Sequence, residues 1–124
     1  MSKNYLKILM KRADIVRNWK NAVKKVAKAI SDVLPDAEIY VFGSAVKRRI
    51  TASSDIDLLI FSEKIPEKNI AKMKIILEIE NKAKLPEYHP FEFHLVNKRK
   101  KNQYLTKYKE IIPINVLLKE STEK

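Results

Sequence analysis

Residues 41–61, VFGSAVKRRITASSDIDLLIF, hold the pattern on which the fold turns. One apolar run ends in a Gly-Ser turn, and a second opens with the aspartates Asp55 and Asp57. Side chains alternate faces along an extended strand, so carboxylates two residues apart point the same way. Ile56, Leu58, Leu59 and Ile60 surround them with apolar bulk, which predicts a strand. Carboxylates this close repel one another unless a cation lies between them. A divalent metal with oxygen ligands, magnesium in the first place, meets that requirement and directs the reading toward phosphoryl or nucleotidyl chemistry.

Gly43 closes the run Ile39-Tyr40-Val41-Phe42 and is the only glycine of the chain. A glycine there permits a backbone conformation or a close approach that a Cβ would block. Ser44 then offers a hydroxyl and an N–H at the start of a turn or helix, a position suited to phosphate oxygens. Lys47, Arg48 and Arg49 follow closely enough to neutralise further phosphate charge. An ordinary strand-ending glycine before a solvated basic loop would read the same way.

Taken together the two elements are far more specific. Gly43-Ser44, ten intervening residues and then Asp55-Ile56-Asp57 resemble the signature of the DNA polymerase beta-like nucleotidyltransferase superfamily. The chain's shortness points to the minimal nucleotidyltransferase branch, whose Ser-Asp-Ile-Asp-Leu run is matched by Ser54-Asp55-Ile56-Asp57-Leu58. Lys47 stands where that branch usually has arginine, and Arg48 where it usually has glycine. The resemblance implies that Gly43, Ser44, Lys47 and Ser54 bind nucleotide, and that Asp55 and Asp57 hold one or two magnesium ions.

It also implies a third acidic ligand on a neighbouring strand. Glu92 is the candidate, within Phe91-Glu92-Phe93-His94-Leu95-Val96, where apolar and polar residues alternate with the period of a half-buried strand. On alternation alone Glu92 could equally face solvent from an edge strand. Many relatives carry aspartate at this position. His94 shares a strand face with Glu92, lining the site or serving as a structural histidine; His89 and His94 lack the spacing of a helical zinc pair and receive no metal role.

At 124 residues the chain forms one domain with one core. No stretch approaches the roughly 20 apolar residues of a membrane span, and cysteine is absent, which excludes disulfides and thiolate metal sites. A cytoplasmic protein is the expectation. The net charge of +11 is uneven: residues 1–30 hold nine Lys or Arg against Asp14, and residues 98–109 hold six against no acid. Stripes such as Lys3, Lys7, Lys11 and Arg17, Lys20, Lys24, Lys28 read either as solvated helix faces or as surfaces for RNA or an acidic partner. Lys98-Arg99-Lys100-Lys101, directly after the third strand, is expected near the active site on sequence adjacency.

The periodicities predict a basic N-terminal helix over 1–34, breaking near Asp14 or Asn18, and a catalytic core over 37–97 with strands near 38–43, 56–62 and 91–97 and a helix over 67–84. A basic C-terminal segment over 98–124 begins with a helix, and its tail over 111–118, interrupted by Pro113, is not assigned. The α-β-α-β-α-β order predicts an α+β fold, a small mixed sheet with helices packed mainly on one face, as in the polymerase beta palm. The expected activity is magnesium-dependent transfer of a nucleoside monophosphate, AMP from ATP, onto an acceptor hydroxyl. The resemblance implies a partner as well, because many minimal nucleotidyltransferases are antitoxins of small helical HEPN-type ribonuclease toxins, and some transfer AMP to a toxin tyrosine. The alternative is a non-catalytic nucleotide- or RNA-binding module on the same fold.

Overall fold

The computed structural model describes residues 3–43, 51, 54–108 and 110–117. Helices α1 (Lys3–Arg17) and α2 (Trp19–Val33) lead into strand β1 (Glu38–Phe42). Strand β2 (Ile56–Ser62), helix α3 (Asn69–Lys82) and strand β3 (Phe91–Asn97) follow. A 3-10 turn over Lys98–Lys100, helix α4 (Lys101–Lys107) and a short strand β4 (Ile111–Pro113) complete the described elements. The long N-terminal helix does break, and it does so at Asn18 alone, whose φ of −110° and ψ of 37° leave the helical region.

The four strands form one mixed sheet in the order β3-β2-β1-β4. β1 runs antiparallel to both β2 and β4, while β2 and β3 are parallel with Ile56 opposite Phe91 and Asp57 opposite Glu92. Parallel strands need a crossover, and α3 supplies it. Pro113 sits in β4 at the sheet's margin, where a residue without an N–H is tolerated. Residues 111–113 of the unassigned tail are therefore an edge strand, and Ile114 and Leu117 beyond it enter the core.

Alternation divides the sheet into two faces. Val41, Ile56, Leu58, Ile60, Phe91 and Leu95 pack with Val23, Val26 and Ile30 of α2 and Ile79 of α3, forming the main core. Leu59, Phe61 and Val96 point the other way, onto a smaller cluster with Tyr104, Leu105 and Tyr108 of α4 and its C-terminal end. β2 is thus covered on both sides, which explains its unbroken apolar run.

α3 ends in a tight cap. Leu85 N–H donates to Glu80 C=O at 3.0 Å and Lys84 N–H to Asn81 C=O at 3.2 Å, with Lys84 in the left-handed region at φ 54°. His89 then fixes the approach to β3. Its Nδ1 accepts the Phe91 N–H at 3.0 Å, which leaves Nε2 to donate to Glu80 Oε2 at 2.5 Å. His89 is structural.

The basic run after β3 lies at the far end of the sheet from the paired aspartates, contrary to the expectation from adjacency. β3 advances roughly 3.3 Å per residue, so its seven residues carry the chain about 20 Å away from Phe91. There Lys98 reaches Asp36 and Glu38 at 3.6 Å each, and Lys101 bonds Glu38. The Ser62 hydroxyl donates to Asp36 Oδ1 at 2.5 Å and the Glu63 N–H to Oδ2 at 2.8 Å.

These bonds hold two carboxyls below the usual range, Asp36 chiefly through the Ser62 hydroxyl and Glu38 chiefly through Lys101. A depressed folded-state pKa stabilises the fold fully above the unfolded value, near pH 4, and the gain disappears as pH falls through the folded value. Lys101 is raised chiefly by Glu38, so its side of the pair persists until pH rises beyond the ordinary lysine range. Urea midpoints measured from about pH 5 down to about pH 2.5 should fall more steeply for the native chain than for Asp36→Asn. Parallel curves would mean that Asp36 gains nothing from its hydroxyl and amide partners.

Candidate metal centre

β2 and β3 begin at the same end of the sheet, and the second residue of each is acidic. Their register sets Asp57 beside Glu92, and His94 follows Glu92 on the same face. His94 Nε2 lies 3.3 Å from Asp57 Oδ1 and 3.9 Å from Glu92 Oε1. One ligand atom from each of the three residues falls within 4.8 Å of the others. With metal–oxygen bonds of about 2.1 Å, ligand atoms around one ion sit about 3 to 4 Å apart, and the two His94 Nε2 separations, 3.3 and 3.9 Å, fall in that range.

The cluster is graded in depth, with side-chain exposures of 21% for Asp57, 35% for His94 and 55% for Glu92. An open position toward solvent is what a substrate-binding metal site requires. Phe42, the β1 partner of Asp57, holds the imidazole: the two rings are 5.1 Å apart, and Tyr108 backs Phe42 at 4.8 Å.

Gly43 adjoins the same carboxylate. Its φ is +80°, and a Cβ built on it would stand 2.5 Å from Asp57 Oδ2. The sequence predicts a close approach at this glycine, and what approaches among the described residues is the acidic side chain itself. Ser44, Lys47, Arg48 and Arg49, assigned to phosphate binding from the sequence, lie outside the described residues.

Asp55 stands just before β2 and is engaged differently from Asp57. Arg12 of α1 donates from Nη2 to Asp55 Oδ1 at 2.8 Å and to Ser54 C=O at 3.0 Å. Its Nη1 donates to the carbonyls of Tyr88 and His89 at 3.2 and 3.1 Å. The guanidinium is only 17% exposed and joins the starts of both parallel strands, while Asp55 remains 57% exposed. The Ser54 hydroxyl accepts the Thr51 N–H at 2.8 Å and so closes a turn ahead of the aspartates.

Two residues of this centre escape the sequence. Arg12 has only one faint signal, an arginine in a lysine-rich helix where a planar fork differs from a point charge. His94 is legible as a neighbour of Glu92, yet its contact with Asp57 depends on which strand lies alongside.

Residues 23–118 match the family described as the nucleotidyltransferase domain. The chain belongs to that family. A crystal structure described provisionally as a nucleotidyltransferase is 27% identical, with a TM-score of 0.56 over 73% of this chain and 95% of that one. A second, from Sulfolobus solfataricus and also described provisionally as a nucleotidyltransferase, shares the fold at 19% identity and a TM-score of 0.50, covering 91% of this chain and 87% of that one. No curated protein matches the chain. Among the described residues of this nucleotidyltransferase domain, no helix is long and apolar enough to cross a membrane. α1, which supplies Arg12, precedes the matched segment.

Gly43→Ala should lower stability by about 1–2 kcal/mol, the cost of a left-handed alanine, and should displace the Asp57 carboxylate as well. Divalent-ion affinity measured by calorimetry should therefore fall further than the unfolding midpoint accounts for; unchanged affinity would leave Gly43 a purely conformational role. Arg12→Gln should cost about 1–3 kcal/mol through the abandoned acceptors, and Arg12→Lys should recover only part of it. Hydrogen exchange at the Ile56 amide, which bonds Pro90 C=O at 2.8 Å, should quicken in both variants if Arg12 clasps the strand starts.

Proposed function

We propose that the chain transfers a nucleoside monophosphate, AMP from ATP, onto a hydroxyl of an acceptor. The observation that carries this reading is the Asp57–Glu92–His94 cluster at the strand starts of a nucleotidyltransferase domain. Asp57 and Glu92 hold magnesium, joined by Asp55, whose Oδ1 is steadied by Arg12. When bound, a divalent cation neutralises triphosphate oxygens and favours loss of pyrophosphate. Gly43 and Ser44 receive the distal phosphates, with Lys47 and Ser54 assisting. The acceptor oxygen attacks the α-phosphorus, pyrophosphate leaves, and Glu92, more exposed than Asp57, takes up the hydroxyl proton.

The acceptor in this reading is a tyrosine of a HEPN-type ribonuclease toxin, and the chain is its antitoxin. The support is resemblance to the minimal nucleotidyltransferase branch through Gly43-Ser44 and Ser54-Asp55-Ile56-Asp57-Leu58. The exposed Lys7, Lys11, Lys24 and Lys28 of α1 and α2 suit an acidic partner surface.

ATP labelled at the α-phosphate, supplied with magnesium and the protein encoded beside this chain, tests the proposal. Label should pass to that protein, and Asp57→Asn should reduce transfer at least about 100-fold, beyond the effect typical of outer-shell partners. Glu92→Gln should retain ATP binding while losing most transfer, and Glu92→Asp should keep part of it. Full activity in Glu92→Gln would remove Glu92 from the mechanism. Tight RNA retention with no transfer would favour the binding module.

A further inference from the structure

The third donor of the cluster is a nitrogen. Magnesium binds almost wholly through oxygen, whereas imidazole suits zinc, copper, iron and nickel. His94 Nε2 lies beside both carboxylates, within hydrogen-bond range of Asp57 Oδ1 at 3.3 Å and 3.9 Å from Glu92 Oε1, and a bound ion would take the place of the Asp57 contact. A tilted contact with the Phe42 ring, 5.1 Å between centroids and 59° between planes, restrains the imidazole before any ion arrives. We infer that His94 is a metal ligand beside the carboxylates, and that its nitrogen turns the site toward a transition-metal ion such as Zn2+ or Ni2+ over Mg2+.

This rests on the reading of Asp57 and Glu92 as metal-holding carboxylates and adds the donor that sets ion choice. Ligation uses the Nε2 lone pair, so the bound ring carries its proton on Nδ1. His89 makes an internal reference. It is the chain's other histidine, and its two nitrogens are already committed to Glu80 and the Phe91 N–H.

Nitrogen-15 spectra of the two imidazoles, recorded on the full chain while Zn2+ is added, read ligation without any turnover. The His94 Nε2 resonance should move to its metal-bound position at one equivalent while His89 stays fixed. Calorimetry should show Zn2+ and Ni2+ binding more tightly than Mg2+. His94→Gln should erase that margin by at least the roughly 10–100-fold that loss of an outer-shell partner costs, with Mg2+ affinity little changed. His94→Phe, which keeps the ring against Phe42, should do the same should glutamine disturb packing. An unmoved His94 signal with zinc bound, or an undiminished margin in both variants, would overturn the inference and leave the carboxylate site standing. Absence of binding of all three ions to the native chain would overturn both.

Discussion

The parallel pairing of β2 with β3, in the register that sets Asp57 opposite Glu92, is the constraint on which the candidate site depends. A slip of one residue would turn Glu92 and His94 to the other face, and a slip of two would part the carboxylates by about 7 Å. The register is pinned at both ends. At the start, Arg12 ties Ser54 and Asp55 to the carbonyls of Tyr88 and His89, and Ile56 N–H bonds Pro90 C=O. At the finish, the Asn97 amide donates to the carbonyls of Glu63 and Ile65 at 3.2 Å each. Between them Phe91 and Leu95 are committed to the main core, which forbids a flip.

The two ends of the sheet handle charge in opposite ways. At the far end Asp36 and Glu38 are matched by Lys98 and Lys101, with Ser62 and the Glu63 N–H satisfying further lone pairs. At the near end Asp57 and Glu92 share the His94 imidazole and, among the described contacts, no lysine or arginine, while the nearby guanidinium is turned onto Asp55. Among the described residues this solvent-facing pair of carboxylates is short of positive charge, as a pair completed by a soluble cation would be.

The elements read from periodicity agree with the structure to within a residue or two, because β2, β3 and α2 have strong apolar patterns of their own. β4 did not announce itself: three residues with a proline are assigned only once β1 offers them an edge. Asp57 and Glu92 were legible as candidates from local pattern and order. Arg12 was not, since its acceptors lie 42 to 77 residues away and no local pattern encodes them. The misplacement of Lys98–Lys101 has the same origin. Adjacency to a strand bearing a ligand says nothing about which end of that strand a segment occupies.

Gly43 shows how far a single residue can be read once a comparison within the chain is available. Positive φ alone does not oblige this chain to use glycine, because Lys84 adopts φ 54° as the cap of α3 and bears the modest strain. At Gly43, φ 80° coincides with a carboxylate oxygen 2.5 Å from where a Cβ would stand. Asp57 is therefore a second demand at Gly43, added to the backbone one that both positions share. β1 ends with Phe42 paired to Asp57, so the next residue must pass the acidic side chain at close range, and any side chain there would press on the carboxylate. The sole glycine of the sequence thus meets two requirements at once, a left-handed backbone and room for the ligand at the start of β2.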